Sequence, residues 1–335
     1  MSGRPRRLMP GRAMVYLSPI ASHEGRVDER MGLRRALITR RANLGDCTDA
    51  PSVVRRLLSR SSMRYPAAVI PLARQRTGQE SAVELALQVS RRAVDDVDKE
   101  SVGGIIYCHA TSDEEPTDSS VGHVQFELQL RSAFPFSISQ AHNTGMFIAL
   151  DMAAALIKGP EAMSNVLVIA SDKLLYGRTP NRPSQMHWRD VAAAVVVSRE
   201  KRDGWRLDHV AVHHFATESR SHQRWPQREL DTFAGFCAER IAGCLSHAGL
   251  AADELGAVLP ICPDASLERQ IQAPAGLSAL RHEKPSGLRA EYIASADLLV
   301  RLSALEQRAE TDRPILAWCT GNNGEFACCV LTRSI

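Results

Sequence analysis

His142 and Asn143 stand between two kinds of periodicity. Before them, Phe136, Ile138 and Ala141 alternate with Ser137, Ser139 and His142, the pattern of a strand coming to its end. After them, Met146, Leu150, Ala153, Ala154 and Ile157 recur at helical spacing. The spacing predicts a strand over 136–140, a corner over 141–145 and a buried helix over 146–157. Such a corner hangs one or two side chains over the amino end of a helix, where free N–H groups and the helix dipole favour negative charge. Acyl-transfer chemistry uses that placement for a nucleophile and for stabilising an oxyanion. Neither Cys nor Ser occupies this corner. Imidazole can act there as a base or hydrogen-bond partner, and the helix end disfavours its protonated form. A carboxamide cannot usefully be acylated, but it can hold a carbonyl or carboxylate. A helix cap supplied by Asn143 or Thr144 fits the same residues.

Other side chains compete for a chemical role. Cys262 ends an apolar run, at a strand end where active-site groups gather, although a buried structural thiol would look the same. The turn Gly321-Asn-Asn-Gly324 allows backbone N–H groups to converge on an oxyanion, as a bare hairpin would also. His282 lies in a loop and is a candidate replacement base, whereas His213 and His214 read as surface packing and His109 and His123 as loop or subunit-contact residues. Asp113 and Asp190 read as loop and turn acceptors.

The elements that must position these groups repeat. After a β-like start at 15–20 and an Arg-rich, irregular stretch to about residue 80 with a short helix at 52–59, the order becomes regular. A helix at 82–97, a strand at 104–109, a helix at 120–130 and the 136–157 unit lead to strands at 165–170 and 191–197. A second run follows: strand 206–215, helix 230–248, strand 256–261, short helix 266–271, helix 294–305, strand 314–319, the Gly-rich turn and strand 325–331. Two copies of one α/β unit imply two stacked sheets sharing central helices.

With 335 residues and 44% hydrophobic content the chain can bury a large core. A net charge of +3, from 41 basic and 38 acidic residues, gives no reason to expect a nucleic-acid partner. The basic leader over 1–14 lacks the apolar segment of a secretory signal. Eight cysteines without paired C-x-x-C spacing suit reduced thiols in a cytoplasm and argue against both a disulfide framework and a metal site. No apolar run reaches the length of a membrane span.

In order and spacing, these elements resemble the thiolase superfamily, and within it the ketoacyl-acyl-carrier-protein synthase III-like enzymes, over about 15–331. The carriers are Val121-Gly-His-Val-Gln125, the 136–150 stretch, Asn165-Val-Leu-Val-Ile-Ala170, Trp188-Arg-Asp-Val-Ala-Ala-Ala-Val-Val-Val197 and the Gly321–Gly324 turn. The resemblance implies an α/β fold: a five-layer αβαβα sandwich of two duplicated halves, 15–204 and 205–335, behind the 1–14 leader. It also implies acyl-coenzyme A or phosphopantetheinyl acyl-carrier-protein as substrate, with no permanently bound cofactor. The implied partners are a second copy or a homologous synthase, paired through the 136–140 strand, and an acyl carrier protein.

The pattern departs from the family at all three catalytic positions. The nucleophile position holds His142 if aligned from the strand, or Asn143 if aligned from the helix. Ile261 takes the place of the family's His, with Cys262 one residue beyond. The third position falls at Glu291 or Tyr292, ahead of Asp297. Two functions follow from these departures: a non-standard acyl-thioester enzyme using His142, or a catalytically silent subunit that stabilises a Cys-containing homologue.

Overall fold

The computed structural model describes residues 14–24, 80–110, 118–159, 163–173, 187–188, 190–216, 225–262, 264–278, 280, 291–292, 294–308, 312–321 and 323–334. The Arg-rich leader, the helix expected at 52–59, Asp113 and His282 lie outside the described residues. The strands are β1 (Val15–Leu17), β2 (Ala21–Glu24), β3 (Val102–His109), β4 (Phe134–Ser139), β5 (Asn165–Asp172), β6 (His187–Trp188), β7 (Val191–Ser198), β8 (Gly204–His214), β9 (Ala257–Ile261), β10 (Glu291–Tyr292), β11 (Ile315–Thr320) and β12 (Glu325–Ser334). The helices are α1 (Ala82–Ala93), α2 (Ser120–Leu128), α3 (Thr144–Lys158), α4 (Gln227–Ala248), α5 (Ala265–Gln272) and α6 (Asp297–Arg308).

Local chemistry sets the helix ends. Ser81 and Glu84 form a reciprocal capping box at the start of α1. Gly249, at a φ of 71°, closes α4 in the left-handed conformation, with the Leu250 N–H donating to the Leu245 carbonyl. At the carboxy end of α3, the Arg199 guanidinium donates to the Ile157 carbonyl at 2.6 Å, a favourable place for a cation.

The strands run in the order β4-β3-β5-β7-β1-β8-β12-β11-β9. The short strand β1 pairs antiparallel with both β7 and β8 and so joins the two halves of the sheet. Alternation along each strand sends its side chains into two different layers. Val166, Val168 and Ala170 of β5 and Ala327, Cys329 and Leu331 of β12 share one buried cluster with Met146, Phe147 and Leu150 of α3 and Leu298, Leu299 and Leu302 of α6. The opposite faces pack against α1 and α2 on the first half and against α4 and α5 on the second. The order α, β, α, β, α is the five-layer sandwich expected from the sequence. Phe147 is fully buried between the sheets, where truncation to alanine costs about 3–5 kcal/mol. No helix among the described residues is long and apolar enough to cross a membrane.

Candidate active site

The chain enters α3 through a tight elbow. Gln140 and His142 have φ of 61° and 45°, a left-handed conformation that costs a residue with a Cβ of order 1–3 kcal/mol. The N–H groups of Thr144 and Gly145 donate to the carbonyls of Ala141 and His142 at 3.0 and 3.1 Å. The Thr144 hydroxyl donates back to the Ala141 carbonyl at 2.6 Å.

Neither Asn143 nor Thr144 caps the helix with its side chain, contrary to the alternative drawn from residue type. Asn143 already has helical backbone angles and makes no side-chain capping bond. A cap needs extended angles so that its side chain can fold back onto the first turn, and the left-handed His142 makes the turn one residue too early. Nor is the elbow exposed: His142 is half-buried and Asn143 only 4% exposed. His142 Nδ1 and Asn143 Oδ1 are shielded from solvent and have no hydrogen-bond partner among the described residues. A buried, unpaired polar atom costs about 1–3 kcal/mol.

The second half of the chain closes over this elbow. Asp172, buried at the end of β5, accepts the N–H of Ala110 at 2.6 Å through one oxygen and the N–H of Ser295 at 2.8 Å through the other. A Cβ added to Gly145 would lie 4.0 Å from the Ser295 hydroxyl, so the segment leading into α6 stands against the first turn of α3. The ion pair of Asp297 with Arg301 follows on α6.

One thiol does reach the first turn of α3: Cys108 Sγ lies 3.6 Å from the Gly145 carbonyl. It is fully buried, and burial first and the Asp172 carboxylate second push its pKa far above the ordinary thiol range. It packs against the flank of the helix as a thiol donor to that carbonyl, and burial disfavours its thiolate.

The remaining predicted residues separate. Ile261 faces the central layer, while Cys262, the next residue, packs against the outer cluster with α4 and α5. Cys262 donates to the Asp264 carbonyl at 3.3 Å and accepts from the Thr320 hydroxyl at 3.4 Å. Burial still pushes its thiol up to about 11. The structure therefore does not bring Cys262 together with His142. Tyr292 lies in β10, opposite Trp188 of β6, with Glu291 opposite His187. His213 faces the edge of the Phe236 ring, its pKa lowered by burial and then by Arg240. His109 stacks at a tilt on Tyr107, and Asp190 is half-buried.

In the final turn, the Gly321 N–H donates across the hairpin to the backbone carbonyl of Glu325 at 2.8 Å. Gly324 has φ of 92°, and its carbonyl accepts the Phe215 N–H at 2.9 Å. Asp172, Ser295 and Glu325 were not singled out in the sequence. For Asp172 and Glu325 the available signal was strand parity, since each continues the alternate positions that face the central layer. No group of three or more His, Cys, Asp or Glu that could hold a metal ion occurs among the described residues.

What this constellation offers is a pair of polar atoms at the amino end of a buried helix, roofed by a segment from the other half, with the buried Cys108 thiol against the flank of the first turn. The five-layer sandwich and this elbow define a thiolase-fold protein. Residues 138–214 match the family model for 3-oxoacyl-[acyl-carrier-protein (ACP)] synthase III, a segment running from the elbow to the end of β8. The fold is similar to that of the acyltransferase ChlB3, at 18% identity over 96% of this chain and 98% of that one, with a TM-score of 0.69. It is also similar to 3-oxoacyl-[acyl-carrier-protein] synthase III of Pseudomonas aeruginosa PAO1 (15% identity, 96% and 99% of the two chains, TM-score 0.66). The Aquifex aeolicus VF5 enzyme of the same name aligns with 76% of this chain and 85% of its own at 20% identity, with a TM-score of 0.62. No curated protein matches the sequence significantly. The chain thus has the fold of these synthases and carries a segment, residues 138–214, that matches their family model.

Proposed function

We propose that this chain handles acyl thioesters of coenzyme A or an acyl carrier protein without a cysteine nucleophile, in fatty-acid-like or polyketide-like secondary metabolism. The observation that carries the reading is the pair of unpartnered buried atoms, His142 Nδ1 and Asn143 Oδ1, at the amino end of α3. A strained elbow and two unpaired polar atoms together oppose folding, which favours a role that a ligand completes. In this role the His142 imidazole is the base or hydrogen-bond partner and the Asn143 carboxamide orients the thioester. Acyl transfer to a small amine or alcohol, or decarboxylation, needs no enzyme-bound acyl group in such a site. Incubation with panels of acyl-coenzyme A and acyl carrier proteins, followed by intact-mass and product analysis, tests the reading. Product lost in His142→Ala but kept in Cys262→Ala supports it. An adduct lost only in Cys262→Ala overturns it.

A second reading is favoured by the sheet edge. Among the described residues β4 is the terminal strand of the sheet, Phe134 on it is 65% exposed, and Phe126 on the neighbouring α2 is 78% exposed. An apolar open edge invites strand pairing, as in a homodimer or in a heterodimer with a Cys-containing homologue that this chain would stabilise. Co-expression with such a homologue and native mass measurement separate the two: activity that resides only in the heterodimer and survives His142→Ala assigns the silent role.

A further inference from the structure

The final hairpin already holds an anion. Between β11 and β12 the backbone N–H of Asn323 donates to Glu325 Oε2 at 2.7 Å, and the Asn323 carboxamide nitrogen lies 3.3 Å from Oε1. The carboxylate folds so far back over the turn that a Cβ at Gly321 would collide with it. Gly321 is therefore the residue that makes room for this seat. A backbone N–H donating to a carboxylate makes a charge-assisted bond, stronger than one to a neutral carbonyl.

The hairpin stands at the same end of the sheet as the candidate site. On β12, Phe326, Cys328 and Val330 point to the outer layer and Ala327, Cys329 and Leu331 to the central one. The period of two puts Glu325 on the central face, the face that carries α3 and α6. β9 and β11 are parallel, and α6 leads into β11, so the start of α6 stands at the ends of those strands where the hairpin lies. That same start is tied through Ser295 to Asp172, beside the first turn of α3. In register, Glu325 lies opposite His214, which is exposed.

We infer that Glu325 is a resident anion in the hairpin, occupying the Asn323 N–H that a thioester carbonyl oxygen would otherwise take, so that a ligand gains this N–H only by displacing the carboxylate. The inference rests on the acyl-thioester reading above and adds a gate to it. Glu325 is half-buried, and releasing the Asn323 N–H requires only rotation of the Glu325 side chain, because the Gly321 N–H is held by the Glu325 backbone carbonyl and stays in place.

Two measurements test it. Amide exchange at Asn323, followed by heteronuclear magnetic resonance, should quicken at least tenfold in Glu325→Ala; an unchanged rate overturns the seat whether or not any thioester binds. Glu325→Gln, which keeps the size and one acceptor oxygen, should fall between the two and guards against a folding defect in the alanine variant. Calorimetry then compares acetyl-coenzyme A with S-ethyl-coenzyme A, the thioether that lacks the carbonyl oxygen. Wild type should bind the two equally, and Glu325→Ala should prefer the acetyl compound by about two- to tenfold, the worth of one hydrogen bond. An equal preference in wild type and variant overturns the displacement. Binding of neither compound to either protein overturns the thioester reading and the ligand assigned to the seat together, while the exchange rates still report on the seat itself.

Discussion

If the Asn143 carboxamide is kept for a ligand, the folded protein should be no less stable without it. Asn143 Oδ1 is shielded from solvent, lacks a partner among the described residues and belongs to a residue that is 4% exposed. Leucine has a similar length and shape and removes the unpaired acceptor. Relief of that acceptor is worth about 1–3 kcal/mol, and about 1 kcal/mol of it is returned as imperfect packing of the branched side chain. The expected net gain is therefore about 0–2 kcal/mol. For a chain of 335 residues, with an unfolding entropy of about 2.1 cal/mol/K per residue, this corresponds to a rise in Tm of up to roughly 3 °C. Urea denaturation followed by circular dichroism measures the stability, and acetyl-coenzyme A calorimetry on the same samples measures the ligand. Asn143→Leu should keep or gain stability and lose binding at least tenfold, the exchange of stability for function seen at sites held ready for a ligand. A variant destabilised by more than about 1 kcal/mol would refute the reasoning, because it would show that the carboxamide is already engaged in holding the fold.

Cys262, with its thiol pushed up to about 11 by burial, should be alkylated by iodoacetamide slowly at pH 7.5 and about tenfold faster for each pH unit above that, as the thiolate fraction grows; rapid labelling at neutral pH would overturn its assignment as a core thiol. Glu306 accepts the Ile20 N–H at 3.1 Å and lies 3.6 Å from the Arg333 guanidinium, and burial still raises its carboxyl above the ordinary value. Its neutral form is favoured in the folded state, so its stabilising contribution is full below the unfolded pKa and is lost as pH rises through the folded one. Glu306→Gln should flatten that part of the Tm profile between pH 4.5 and neutrality, and an unchanged profile would count against it. Phe134→Lys places a charge on the open edge of β4 and should weaken self-association at least tenfold by light scattering; a chain that is monomeric before the change removes the edge as an interface.

Most of the architecture could be read from the residues because it follows from local periodicity. The helical spacing of Met146, Leu150, Ala153 and Ile157 corresponds to α3 (Thr144–Lys158), and the apolar run from Asn165 corresponds to β5. Helix ends were less legible: α1 stops at Ala93 rather than at 97, and a separate 3₁₀ turn follows at Lys99–Ser101. The His142–Asn143 corner was placed correctly between strand and helix. Its conformation was not, because capping preferences assume the turn is made at the residue before the helix, and here it is made at His142.

The larger gap lies in parity. Ile261 and Cys262 are neighbours in sequence, yet a strand sends them to opposite layers, one toward α3 and one toward α4. Reactivity alone favoured the thiol, and nothing local to Pro260–Asp264 says which face it takes. Glu325 shows the converse. Read by residue type it is a charged residue after a turn, with no claim on the interior. Read by alternation with Ala327 and Cys329 it belongs to the side of the central layer, and its carboxylate folds back over the turn to accept the Asn323 N–H. Asp172, by contrast, is buried on the same side of its strand, where a carboxylate needs donors, and Ala110 and Ser295 supply them. In each case the strand dictates the face, and the partner comes from a turn or from the other half of the chain. Residues that join the two halves at the elbow are therefore the ones that local patterns conceal, since their role is fixed only when both sheets are in place.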